Sequence, residues 1–249
     1  MLKLMKYELR KTMFSKFILL IVTAITEIAY LIGVFFDWDK GLAIGIIGLL
    51  CCAMFGILYI GIESLLVFHR DLNTKQSYML FLTPTNSYQV LGAKVLENGI
   101  SILLTGACFA ALAAIDFTVG VIYIGGVKQF LDMLHDLMIN LQLEINISAQ
   151  SLAMGFFSIL VSWLMLVVTG YLAITLSATV LAGRRFSGVV SFILYLLLGW
   201  VCGWIVDKCI PASMANEMLQ YGLTIGALFI EIVVMYLAAG WIMERRLSV

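Results

Sequence analysis

Leu152–Ala182 reads LAMGFFSILVSWLMLVVTGYLAITLSATVLA, thirty-one residues without a charge. A hydrocarbon core about 30 Å thick is crossed by about 20 apolar helical residues. The run is therefore long enough to span with room to tilt. Its apolar residues are continuous rather than alternating, which excludes the strands of a membrane barrel. Open sheets are excluded as well, because their edge N–H and C=O groups would find no partner in lipid. This stretch is a membrane helix, and the rest of the chain repeats its composition. Five further apolar runs are evident: Phe17–Phe36, Leu42–Phe68, Val95–Ile124, Val189–Val206 and Tyr221–Met243. Of the 249 residues, 63% are hydrophobic and 12% charged. Soluble domains have roughly half apolar and a quarter charged residues. The expectation is an all-α polytopic membrane protein of six spans in one transmembrane domain, 1–249.

Basic residues orient the spans. Lys3, Lys6, Arg10, Lys11, Lys16, Arg70, Lys75, Lys94, Arg184, Arg185, Arg245 and Arg246 fall on one side of an alternating six-span chain. Lys40, Lys128 and Lys208 fall on the other, and together they account for all 15 basic residues. The richer side is cytoplasmic by the positive-inside rule, so both termini are expected there. The first run is span-length, contains Glu27 and lacks a small-x-small cleavage site, so it reads as a retained span rather than a signal peptide.

Two segments read as helices along the membrane surface. In residues 1–16, Leu2, Met5, Leu9 and Met13 share an arc flanked by Lys3, Lys6 and Arg10. That is a basic amphipathic helix suited to an anionic inner leaflet. In residues 128–146, Phe130, Leu134, Leu137, Met138, Leu141 and Ile145 oppose Asp132, His135, Asp136, Asn140 and Glu144. This second helix is expected on the outer side.

Several chemistries find no support. Net charge is zero, so nucleic acid is not an electrostatic partner. The five cysteines include no CxxC pair, and Cys51, Cys52, Cys108 and Cys202 sit inside apolar runs as small packing residues. No phosphate-binding GxxxxGK[ST] loop, HExxH or GxSxG is present. The two histidines, His69 and His135, lie outside spans or at their ends. Catalytic, metal and cofactor residues are therefore not expected in this chain. Glu27 and Glu231 are placed near mid-bilayer, where a charge costs about 2.5–3.5 kcal/mol. Both are candidates for a translocation path or a helix interface. Glu63 and Asp116 read as boundary residues that reach the interface.

The inner loop His69–Lys94 reads HRDLNTKQSYMLFLTPTNSYQVLGAK. Asp71 or Asn73 can cap a short helix. Pro84 must end it, and Thr85, Asn86 or Ser87 can start the next. The product is a short cytoplasmic helix on a stiff elbow, with Tyr78 and Phe81 as apolar anchors among Arg70, Asp71 and Lys75.

The N-terminal MLKLMKYELRK, followed by a span, and the RDL…K…FLTPTNSYQVLGAK loop after the second span resemble the permease subunit of bacterial type 2 ATP-binding-cassette exporters. The resemblance implies an N-terminal elbow helix, a coupling helix within 70–94, and two permease subunits forming a homo- or heterodimer. It also implies two separate cytoplasmic ATPases, which would bind ATP and magnesium. The ATPase-docking residues would be Arg70, Asp71, Lys75, Tyr78, Phe81 and Pro84. Polysaccharide and lipid exporters of that family often have their outer re-entrant element between the last two spans. Here the larger outer segment lies between the third and fourth. The expected function is export of an amphipathic or hydrophobic substrate (a lipid, drug or antimicrobial peptide) across the bacterial cytoplasmic membrane. The alternatives are a non-transporting sensor or assembly subunit and a membrane-embedded enzyme.

Reporter fusions test the topology. Fusions after Lys40, within Lys128–Asn146 and near Met214 should report the outside; those after Lys75, Arg185 and Val249 should report the inside. A cytoplasmic signal from Lys128–Asn146 would overturn the six-span topology.

Overall fold

Every backbone N–H and C=O in hydrocarbon must be satisfied within its own segment. The chain meets this demand with long uninterrupted helices. Its two prolines, Pro84 and Pro211, both fall between them. The computed structural model describes residues 2–36, 38–73, 86–123, 126–128, 149–180, 187–210 and 217–247. Among these the elements are α1 (Leu2–Phe35), α2 (Asp39–Asn73), α3 (Ser87–Tyr123), α4 (Ala149–Val180), α5 (Ser187–Cys209) and α6 (Glu217–Ile242). A π-helical turn, Met243–Leu247, ends α6. No strand occurs among the described residues. All six helices are long and apolar enough to cross a membrane, and the chain is a multi-pass membrane protein.

The helices exceed the apolar runs at their polar ends. The boundary expected between an interfacial helix and a span at 16/17 is not a break, since α1 continues from Leu2 to Phe35. No proline lies in this stretch, and its first glycine is Gly33. At about 1.5 Å per residue, the 34 residues of α1 extend about 51 Å, well beyond the hydrocarbon thickness. Likewise α3 starts at Ser87, ahead of the apolar run at Val95 and where Thr85, Asn86 or Ser87 was expected to start it. Asn86 caps it: its Oδ1 accepts from the Tyr88 N–H at 3.3 Å, and its backbone O accepts from Gln89 at 2.8 Å and Val90 at 3.2 Å. Of the helical segment expected at 128–146, only Lys128 is among the described residues.

The chain divides into two compact units. One comprises Met1–Glu8, Gly61–Gly99 and Ser148–Val249; the other comprises Leu9–Ile60 and Ile100–Ile147. The first unit is organised on α4, 61% of whose most apolar stretch is buried against 11–22% for the other spans. α4 packs chiefly against α5 and α6. Its core joins Phe68 and Leu72 of α2, Leu91 of α3, Met165, Val168 and Tyr171 of α4, and Met235 and Ala239 of α6. Gly61 admits the Trp163 indole where any Cβ would collide.

Hydroxyls inside this unit are satisfied locally. Thr169 donates to the Met165 carbonyl at 2.7 Å, Thr175 to Leu172 at 2.8 Å, and Thr179 to Leu176 at 2.7 Å. Ser177 donates to the Ser187 carbonyl at 2.8 Å, which ties α4 to the start of α5. The fully buried Tyr171 hydroxyl pairs with that of Ser64 at 2.5 Å.

In the second unit α1 and α2 form a close hairpin. The backbone of Tyr30 passes 2.5 Å from where a Cβ of Gly45 would lie, so only glycine fits there.

The Ser64–Tyr171 pair gives a measurable stability term. Ser64→Ala strands a buried hydroxyl and should lower unfolding free energy by about 1–3 kcal/mol, whereas Ser64→Ala with Tyr171→Phe should be nearly neutral. Thermal unfolding in detergent micelles checks both. A double variant as destabilised as the single one would refute the account.

Candidate functional site

The last turn of α2 and the first turns of α3 flank residues 74–85. Consecutive helical residues point about 100° apart, and Arg70 and Asp71 accordingly part company. Arg70 is exposed, while Asp71 is buried. Asp71 meets Lys94, which stands two turns into α3. The Lys94 Nζ donates to Asp71 Oδ2 at 2.7 Å and to Glu8 Oε1 of α1 at 2.9 Å. The three side chains are only 3%, 5% and 6% exposed for Lys94, Asp71 and Glu8. Phe68, one turn before Asp71, places its ring centroid 5.8 Å from the same Nζ. Glu97 and Asn98, three and four residues beyond Lys94, are buried on its face of α3. The Trp163 indole N–H donates to Asn98 Oδ1 at 3.1 Å. One ammonium group thus joins the start of α1, the end of α2 and the first turns of α3.

This placement changes how two residues are read. Lys94, counted among the cytoplasmic basic residues, is withdrawn from solvent. Asp71, expected on a polar docking rim, points inward. Lys75, Tyr78, Phe81 and Pro84 lie outside the described residues.

Glu27 and Glu231 lie in different units. Because α1 ends at Phe35, Glu27 sits eight residues, or about 12 Å, before its C-terminal end. Its carboxyl is within hydrogen-bonding reach of the Asp116 carboxyl. The buried Tyr30 hydroxyl donates to the Asp116 backbone carbonyl at 2.9 Å. Asp116, read as a boundary residue, is thereby drawn into contact with α1. Glu27 Oε2 and Asp116 Oδ1 are buried without a hydrogen-bond partner, as are both carboxyl oxygens of Glu231. Glu231 lies in the first unit, near enough to Cys202 to act on it electrostatically. Among the described residues no group of three or more His, Cys, Asp or Glu side chains is placed to hold a metal ion.

Against protein-family models, curated proteins and solved structures, the chain shows no match.

Removing one partner from a buried ion cluster leaves uncompensated charge and costs about 3–5 kcal/mol. Lys94→Met should show that loss in thermal unfolding. Arg70→Met, at an exposed position, should cost about 1 kcal/mol or less. Equal effects for the two would contradict the burial of the cluster.

Proposed function

We propose that this chain is the membrane-spanning permease subunit of a type 2 ATP-binding-cassette exporter in the bacterial cytoplasmic membrane, with both termini cytoplasmic. Two such subunits, identical or paired with a second permease, would be driven by two copies of a separate ATPase that binds ATP and magnesium. Six apolar helices and the absence of a phosphate-binding loop from the sequence support the reading. The observation that carries it furthest is the buried Lys94 cluster. A permease without a nucleotide site must receive work through a cytoplasmic contact, and a compliant contact would dissipate it. Segment 74–85 is bounded by two long helices whose ends are held by one buried cation. Its base is therefore stiff.

In this reading Arg70, Lys75, Tyr78 and Phe81 contact the ATPase. Pro84 limits the docking helix, and Asp71 secures its base. The apolar bundle suits an amphipathic or hydrophobic substrate.

Tyr78→Ala with Phe81→Ala, removing two aromatic anchors, should reduce recovery of the ATPase with the purified chain at least tenfold while membrane insertion is unchanged. Undiminished recovery would refute the docking assignment. A wild-type chain that recruits no ATPase would refute the exporter reading.

A further inference from the structure

The C-terminal end of α6 has a packed side and an open side. Ala239 and Met243 are fully buried, and the Tyr88 ring lies against Gly240. Consecutive helical residues point about 100° apart, so Trp241, two residues from Ala239 and two from Met243, is turned away from the core. Its indole is 50% exposed. Arg245 follows four residues later, on the same side of the helix, and is exposed as well. Its Cζ lies 4.8 Å from the Trp241 ring centroid. The π-helical turn that carries it reads MERRL, so two arginines accompany one glutamate. Among the described residues Arg245 has the indole, and no carboxylate, as its partner.

We propose that Trp241 and Arg245 form a binding site for the headgroup of an anionic phospholipid. An indole at the end of a span sits at headgroup level, with its apolar body against the lipid. A guanidinium stacked on that ring is held in one orientation, and its N–H fork suits two oxygens of a phosphate. A zwitterionic lipid presents the same phosphate with a quaternary ammonium beside it. That cation is repelled by Arg245, and the ring face that would attract it is already occupied by the guanidinium. In the proposed topology this end of α6 meets the anionic cytoplasmic leaflet. The site itself requires only that α6 spans the bilayer, so it is independent of the exporter reading.

The experiment uses the full chain reconstituted in vesicles of equal parts phosphatidylglycerol and phosphatidylcholine. One lipid or the other carries brominated acyl chains, which quench the indoles they touch. Subtracting the emission of the matching Trp241→Phe variant isolates the signal of Trp241. The association constant at Trp241 should favour phosphatidylglycerol about fivefold, as expected for one cation at an anionic surface. Arg245→Met should bring that ratio to about one. Arg245→Lys, which keeps the charge and loses the planar fork, should at least halve it. Lys40→Met, which also removes one exposed cation, should leave it unchanged, and so should inorganic phosphate added at the headgroup concentration.

A wild-type ratio of one overturns the proposal. An undiminished ratio in Arg245→Lys overturns it too, because charge without the stacked fork would then suffice. Equal losses in Arg245→Met and Lys40→Met would assign the preference to surface charge at large, and a ratio abolished by phosphate would assign the site to a free anion; either result sinks the lipid assignment. None of these outcomes touches the exporter reading, which stands or falls on recovery of the ATPase.

Discussion

Nothing in hydrocarbon or in a packed core can replace water around an ammonium group, so the Nζ of Lys94 has to be met by protein. Two carboxylates and an aromatic ring meet it. Because those groups come from α1 and α2, meeting the charge brings three helix ends to one point. The rest of the first unit is compatible with that point. Phe68, which faces the ammonium group, packs edge-on to Tyr171 with centroids 4.8 Å apart. Tyr171 in turn pairs with Ser64 at the heart of the α4 packing. A polar cluster and an apolar core thus share one residue, and neither is arranged independently of the other.

The second constraint is the scarcity of hydrogen-bond partners in a bilayer. α4, the most buried helix, carries Thr169, Thr175, Thr179 and Ser177, yet each hydroxyl returns to a nearby backbone carbonyl. Such hydroxyls add small volume without adding unmet polarity, so helices can approach closely there. Bulk apolar groups are left for the outside: Trp200, Phe192, Phe229 and Ile230 are exposed on α5 and α6, as expected for surfaces facing lipid tails. The unpartnered oxygens of Glu27, Asp116 and Glu231 are the exceptions.

The number and type of helices were legible because hydrophobic length is a one-dimensional signal. Helix ends were less so. The apolar run starting at Phe17 says where lipid begins, not where hydrogen bonding stops, and with no proline or glycine before Gly33 the helix runs back to Leu2. Pairing across helices was not legible at all. Depth along a span follows from counting residues, but the direction in which a side chain points toward a neighbour does not. Counting places Asp116 near a boundary but does not reveal that its carboxyl lies near Glu27. Lys94 was counted as a loop charge, although it is shielded from solvent. The N-terminal signal for α3 was readable, since a small polar residue after Pro84 is a local feature, and Asn86 provides the cap.

The order of the cluster along the chain bears on biogenesis. Glu8, Asp71 and Lys94 all emerge from the ribosome within the first 94 residues, and they can pair when only three helices have been inserted. Tyr171, which closes against Phe68, is translated much later with α4. A truncated product ending before α4 would thus have this cluster matched but its apolar covering missing. At this cluster, unfinished chains would be recognisable to membrane quality control by bare aromatic surface rather than by stray charge.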